Sequence, residues 1–324
     1  MRCIYFLATL LFFSNILFAD EPIKDGFYNE YADGHLRRTA EYQMGILHGR
    51  FRTFYPDGRI EGAGVYVNGV LDGTILGYWP DGVLKIKDKY TNGKRNGTST
   101  LYYKNGKIQA EIEYNKGVQD GLTKEYNELG QPTWVRHFNW GKEQGISKQF
   151  YPDMGALYRE YEYKDGQQNG LVREFYPSGL IKGTYTVVNG IRQGLGSEFY
   201  ESGPLSRQGN FKDDQWDGLV TNFYNNGHIL SKVKYTAGKK NDDHWQEFYD
   251  TGELKSEVKV IDDLKEGKAL EYYPNGKVRN EGLFEKGQRQ GVFKHYDQEG
   301  HLAAQDEFKD DAIRYHREYN SAGK

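Results

Sequence analysis

Between Leu84 and Tyr90 the chain alternates: Leu84, Ile86 and Tyr90 fall on one side of an extended strand, Lys85, Lys87 and Lys89 on the other. An aromatic pair, Tyr78-Trp79, and a Pro80-Asp81-Gly82 turn lead into that strand. The same succession returns along the chain, aligned on Gly26, Gly49, Gly73, Gly97, Gly121, Gly145, Gly170, Gly194, Gly218, Asp243, Gly267 and Gly291. The spacing is 23 to 25 residues, which gives twelve units, with Tyr319 opening a fragment of a thirteenth.

Each unit is predicted to be a β-hairpin. Five residues after the opening position stands an aromatic, as in Phe54, Phe175 and Tyr272, and a turn glycine such as Gly58, Gly179 or Gly276 follows. Tyr55-Pro56-Asp57-Gly58 sets a negative φ at the proline and leaves the left-handed position to glycine, which suits a three-residue loop. With that loop, Phe175 faces Ile181 and Glu174 faces Lys182. Glu247 then faces Lys255, and Glu271 faces Arg279. One face is expected to be aromatic and aliphatic. The other is expected to be charged, carrying the second member of each aromatic pair. A Gly-x-x-x-Gly link joins one unit to the next.

A lone hairpin is marginal, so neighbours must stack. The fold class expected is all-β: an elongated, twisted antiparallel sheet or solenoid of about twelve hairpin repeats of ~24 residues. Laid flat, its strands would reach roughly 115 Å. Asp243 replaces an opening glycine, Asp214, Asp263 and Asp311 replace later turn glycines, and Met154 and the Lys239–Asp242 link add residues. Kinks are expected in those units.

Composition agrees with short strands and many turns: aromatics reach 15%, with 40 glycines, while hydrophobic residues total only 37%. The first 19 residues read as a signal peptide, with Arg2 ahead of an apolar run and a cut after Ala19. Residues 20–324 form the repeat array. The only cysteine, Cys3, lies in the leader, so the exported chain would hold without disulfides. Net charge of −3 gives no reason to expect nucleic acid.

No constellation for catalysis stands out, and no cofactor or metal is expected. The eight histidines fall mostly in different units. Asp242-Asp243-His244 lies at an irregular turn, and Glu125, Glu174, Glu198, Glu247 and Glu271 read as a solvated charge ladder. The candidate binding ladder is the second aromatic of each pair: Tyr55, Trp79, Tyr103, Tyr151, Tyr176, Tyr200, Tyr224, Tyr249 and Tyr273. These rings either face a partner or only stabilise neighbouring hairpins.

The pattern Gly-x4-[Phe/Tyr]-Tyr-x-x-Gly-x-[Leu/Ile]-x5-[Phe/Tyr]-x-x-Gly resembles the MORN (membrane occupation and recognition nexus) repeat. It is most similar to the bacterial variant whose members are often labelled antitoxin components. That resemblance implies an extended sheet of hairpins used for binding or assembly. The function expected is a non-enzymatic exported scaffold for protein–protein binding at the cell envelope, self-association included. Alternatives are binding to a phospholipid surface, binding to cell-wall carbohydrate, and the antitoxin role of the family label.

Overall fold

The computed structural model describes residues 25–319; the leader at residues 1–19 lies outside them. The described residues form 31 antiparallel strands and no helix. Six are two-residue pieces, such as Val70–Leu71 ahead of Gly73–Tyr78, in which one strand is interrupted at a bulge. Two units are distinguished. One comprises residues up to Gly106 with Tyr114–Gly117; the other comprises Lys107–Glu113 and Val118 onward. Each is an open meander in which strands pair with their sequence neighbours.

The three-residue loops form as the prolines and glycines dictate. Tyr55 N–H donates to the Arg59 carbonyl at 2.8 Å and Gly58 N–H to the Tyr55 carbonyl at 2.9 Å, with Gly58 at φ +84°. Phe175 faces Ile181 as expected. The extra residue Met154 only lengthens its loop: Tyr151 N–H reaches the Ala156 carbonyl at 2.8 Å, and Phe150 still faces Leu157.

Beyond each aromatic pair the register departs from expectation. A bulge inserts Lys182 between Ile181 and Gly183, so Glu174 faces Gly183. Glu247 likewise faces Ser256, and Glu271 faces Asn280. The expected Glu174–Lys182, Glu247–Lys255 and Glu271–Arg279 pairs are therefore corrected: the basic residue is the unpaired bulge residue.

The bulge also reassigns the faces, because one extra residue reverses the alternation. Tyr78 pairs with Leu84, yet Gly77 pairs with Ile86, Ile75 with Asp88 and Gly73 with Tyr90. Ile86 and Tyr90 thus share a face with Asp88, and Leu84 joins Lys87 and Lys89 on the opposite one. The closing aromatics lie across the sheet from the first aromatics.

The link between hairpins is itself a tight hairpin. Asn68-Gly69, Asn92-Gly93 and Asn189-Gly190 all have two successive positive φ values, the signature of type I′. Asp213-Asp214, Asp262-Asp263 and Asp310-Asp311 keep that conformation, with φ of 66°, 70° and 63° at the second residue. The turn itself is unbroken there, since aspartate tolerates the left-handed region and supplies its own acceptor. Asp214 Oδ1 accepts from Arg192 N–H at 2.9 Å, one repeat earlier. The break at Asp243 is present: Asp243 and His244 bulge out between the Asp242–Val260 and Trp245–Val258 pairs.

These I′ turns stitch one edge of the sheet. Gly69 N–H donates to the Leu47 carbonyl, Gly93 to Leu71 and Gly190 to Gln168, at 2.8, 2.8 and 2.9 Å. The other turn N–H finds the side chain that precedes the earlier opening glycine. Asn92 donates to Asp72 at 3.0 Å, Asp165 to Gln144 at 2.9 Å and Lys286 to Glu266 at 2.8 Å. Both otherwise orphaned donors are satisfied by the preceding repeat.

Burial is concentrated on the packed face, where large side chains lie over glycines of adjacent strands. In the first unit Ala40, Tyr42, Phe51 and Ile75 cluster, with Tyr66 and Tyr90 packed against them, and Phe51 and Ile75 fill the space over Gly64. In the second, Val172, Val187, Val220, Val233 and Val260 are buried, with Phe211, Phe293 and Phe308. This packing, not a second layer, is how a thin repeat sheet removes apolar surface from water.

The opening glycines are unequal. Gly170 has φ +131°, and a Cβ there would collide with the Glu162 carboxylate, which accepts Leu171 N–H at 3.1 Å. Gly218 has φ +86° with nothing within 4 Å of a built Cβ. Gly170→Ala is expected to cost about 3 kcal/mol, combining backbone strain with a lost carboxylate bond. Gly218→Ala should cost roughly 1–2 kcal/mol from strain alone. Equal urea midpoints for the two variants would refute the Glu162 contribution.

Candidate functional site

The second aromatics sit just before the three-residue loops, and the structure gives their polar tips a defined task. Tyr55 hydroxyl donates to the Tyr78 carbonyl at 2.7 Å, and Trp79 Nε1 to the Tyr102 carbonyl at 3.4 Å. Tyr151, Tyr176 and Tyr200 donate to the carbonyls of Phe175, Phe199 and Phe223 at 2.8, 2.7 and 2.6 Å. Tyr224, Tyr249 and Tyr273 do the same to Phe248, Tyr272 and Tyr296 at 2.9, 2.7 and 2.8 Å. Tyr103 closes its turn like the others, accepting from Gly106 N–H at 3.0 Å. Each acceptor belongs to the first aromatic of the following repeat, so this edge is stitched forward as the I′ edge is stitched backward. Asn127 takes the same sequence position and donates from Nδ2 to the Pro152 carbonyl at 2.6 Å.

The rings remain half-buried, and the bulge residues gather beside them. Lys85 Nζ lies 4.7 Å from the Trp79 ring centroid, Lys182 5.9 Å from Tyr176, Lys255 6.0 Å from Tyr249 and Arg279 5.7 Å from Tyr273. At Tyr151 an aromatic takes that place, Tyr158, with ring centroids 4.8 Å apart, while beside Tyr55, Tyr200 and Tyr224 the bulge residues are Glu61, Ser206 and Leu230. The side chains that sequence pairing assigned to glutamates thus decorate the aromatic ladder.

The recurrent glutamates lie on the packed face and are held by other partners. Glu174 meets Arg159 at 2.6 Å and accepts from Tyr185 hydroxyl at 3.3 Å. Glu125 pairs with Arg136, Glu247 accepts from Ser256 at 3.2 Å, and Glu271 accepts from Asn280 at 2.6 Å. Glu198 is looser, 3.6 Å from Arg207 and half exposed. Burial pushes the Tyr185 hydroxyl up to about 12, and the charge of Glu174 adds to the rise. Glu125, Glu174 and Glu247 are half-buried, whereas Glu198 and Glu271 stay exposed, so the row is solvated only in part.

Asp242 and Asp243 are engaged locally. Asp242 accepts Lys234 N–H at 2.7 Å and His244 N–H at 2.9 Å, and Asp243 pairs with Lys259 at 2.8 Å. Near the end of the described chain His295 and His316 flank Asp306, with contacts of 3.0 and 2.5 Å.

The face opposite the packed one carries its own pattern. Residues just after the opening glycines form an exposed row: Leu122 at 40% exposure, Ile146 at 52%, Leu195 at 56% and Leu219 at 55%, with Leu171 between them. Sequence reading missed this row because the bulge hides which face it occupies. The same face holds a charge cluster, where Glu281 meets Lys268 at 2.9 Å and Lys294 at 3.2 Å and accepts from Tyr296 hydroxyl at 2.8 Å. Lys268 foremost, then Tyr296 and Lys294, hold its carboxyl at about 2, below the ordinary 4.5. The folded value lies below the unfolded one, so this contribution is complete above the unfolded value and is lost as pH falls toward 2. Melting temperature should decline as pH drops from about 5 to about 2, and Glu281→Gln should flatten that decline. Parallel melting curves for both proteins would remove this role.

The MORN repeat variant profile matches the chain at residues 47–68, 95–116, 216–237, 265–286 and 289–310. The span 47–68 encloses one three-residue-loop hairpin and ends at the first residue of an I′ turn, Asn68. The same backbone pattern continues through the intervening segments. No curated protein matches. Among solved structures, TcdB2-TccC3-Cdc42 is 13% identical, over 91% of this chain and 19% of that one, at a TM-score of 0.17. The Photorhabdus luminescens Tc holotoxin pore is 10% identical, over 92% and 18%, at 0.18. A porin-like protein from Bacteroides uniformis is 10% identical, over 68% and 90%, at 0.19. The chain spans about a fifth of the length of the first two.

Proposed function

We propose that this repeat array is a non-enzymatic scaffold that binds a protein partner through several repeats at once, and that it is exported to the cell envelope by its leader. The carrying observation is the row Leu122, Ile146, Leu171, Leu195 and Leu219, one apolar side chain on each of five successive hairpins on the face that does not build the core, all exposed except the half-buried Leu171. Scattered exposed leucines are unremarkable, whereas an ordered row of this kind is a surface suited to burial by a partner. Repetition adds avidity, because each engaged repeat raises the effective concentration for the next. The Arg2 and apolar-run pattern of residues 1–19 supports export.

The test is crosslinking and capture in the native host with the natural chain and with Leu195→Lys/Leu219→Lys. Both positions are exposed strand sites, so the variant should fold with an unchanged circular dichroism spectrum. Capture of a defined partner by the natural chain, weakened at least about tenfold in the variant, is the expected outcome. Equal capture by both proteins would remove the row from the interface. Recovery of the chain from the cytosol with residues 1–19 intact would remove export.

A further inference from the structure

Seven strand glycines have φ outside the left-handed range: Gly62, Gly64, Gly77, Gly183, Gly196, Gly209 and Gly282. Six exist for packing, since a Cβ on any of them would come within 3.0 Å of a side chain. Phe211 lies over Gly196, Val220 and Trp216 over Gly209, and Phe293 over Gly282. Gly183 differs. The only atom near its built Cβ is the Ser197 carbonyl oxygen, at 3.3 Å. A strand-interior glycine with no side chain packed on it marks a bulge, as Lys182 supplies beside Gly183, or a place where something else approaches the backbone.

The space above Gly183 is a depression of about 390 Å³. Tyr176, Tyr185 and Trp216 supply aromatic surface, while Glu174, Glu198, Arg159 and Lys182 supply polar groups. Trp216 is fixed by stacking on Phe211, with centroids 3.9 Å apart and planes 24° apart. Arg192 is already committed, 4.4 Å from the Phe211 centroid and 3.2 Å from Asp214. That leaves two carboxylates against two cations, a balance that offers no net charge to an ion. Glu198 keeps half its side chain exposed.

We propose that the Gly183 depression binds one or two rings of a neutral saccharide. A pyranose has an apolar C–H face that stacks on aromatic rings. Its adjacent hydroxyls suit an acceptor such as Glu198 and a donor such as Lys182. The volume lies near the lower end of small-ligand sites, which run from about 300 to 1,000 Å³. This site is separate from the leucine row, so it stands or falls independently of the scaffold reading.

The probes are tri-N-acetylchitotriose and cellotriose, titrated calorimetrically into the full repeat array while tryptophan fluorescence is followed. Saturable binding of either probe is expected at concentrations up to about 10 mM, where a millimolar site is filled. Gly183→Val keeps an extended conformation that a strand accepts but needs the Ser197 carbonyl, 3.3 Å from the new Cβ, to shift slightly; the folded variant should bind at least tenfold more weakly because its side chain occupies the depression. Glu198→Gln, at an exposed position, should weaken it severalfold. No saturable signal with either sugar would overturn the proposal. So would undiminished binding by a folded Gly183→Val protein, or binding of an acetylated tetra-alanine peptide in preference to both sugars.

Discussion

Replacing Asp88 with alanine is expected to destabilise the first unit by roughly 3–5 kcal/mol, the range for breaking a buried ion pair. Asp88 is 2% exposed on the packed face, opposite Ile75. Its carboxylate meets the Arg95 guanidinium at 3.0 Å and accepts a short hydrogen bond from Ser99, which is equally buried. The truncation would strand a guanidinium whose side chain is only 24% exposed and leave Ser99 without its acceptor. Asp88→Leu combined with Arg95→Leu and Ser99→Ala should recover most of the loss, because no buried charge is then left over. Urea denaturation reads both results. A single variant within about 0.5 kcal/mol of the natural protein, the size of an ordinary surface substitution, would show that water reaches this pair.

Asp88 also shows where sequence reading stops. By alternation it shares a side with Ile86 and Tyr90, yet nothing in that pattern names Arg95 and Ser99 as the partners that let a carboxylate sit there. One bulge residue per hairpin turns the strand over and sends Leu84, not Asp88, to the opposite face. The loops, the repeat length and the Phe175–Ile181 pair were readable, because proline and glycine fix loop geometry locally. The bulge has no residue signature: its occupants include Glu61, Lys85, Thr133, Tyr158 and Ser206, which share neither size nor charge. The I′ turns were half visible. Asn68-Gly69 announces one, but Met44-Gly45, Lys116-Gly117, Trp140-Gly141 and Ala237-Gly238 adopt the same positive φ values without the usual asparagine. Tertiary stitching to the preceding repeat holds those residues where their own preference would not.

The candidate ladder was legible as a row, yet its chemistry depends on a contact 23 or 24 residues away that no local pattern reveals. That row and the I′ row act in opposite directions along the chain. Turn N–H groups reach back to the previous repeat, whereas tyrosine hydroxyls reach forward to the next. Each hairpin is therefore held at both ends by neighbours. A substitution such as Asp for Gly at residue 214 survives because it adds a second backward bond, Arg192 N–H to Asp214 Oδ1, beside the one from Asp214 N–H to the Arg192 carbonyl.

Converting Tyr151, Tyr176, Tyr200, Tyr224, Tyr249 and Tyr273 together to phenylalanine should cost the second unit about 3–9 kcal/mol, at about 0.5–1.5 kcal/mol for each hydroxyl bond. The six contacts lie a repeat apart, so their losses should add approximately, as nearest-neighbour terms do in a repeat protein. That sum rivals the whole stability of a typical domain, about 5–15 kcal/mol. Single variants should each shift the urea midpoint by a small, similar step. The phenylalanines keep the rings and the cations beside them, so a partner that grips ring surface would still bind while the protein remains folded. Tyr176→Ala removes ring and hydroxyl together. If it matched Tyr176→Phe in stability but lost a captured partner, the ring would be a recognition element as well as a carrier of the stitch. If the six-fold phenylalanine variant instead melted with the natural protein, water would be replacing the hydroxyls at no cost. The ladder's regularity would then have to come from what its rings touch.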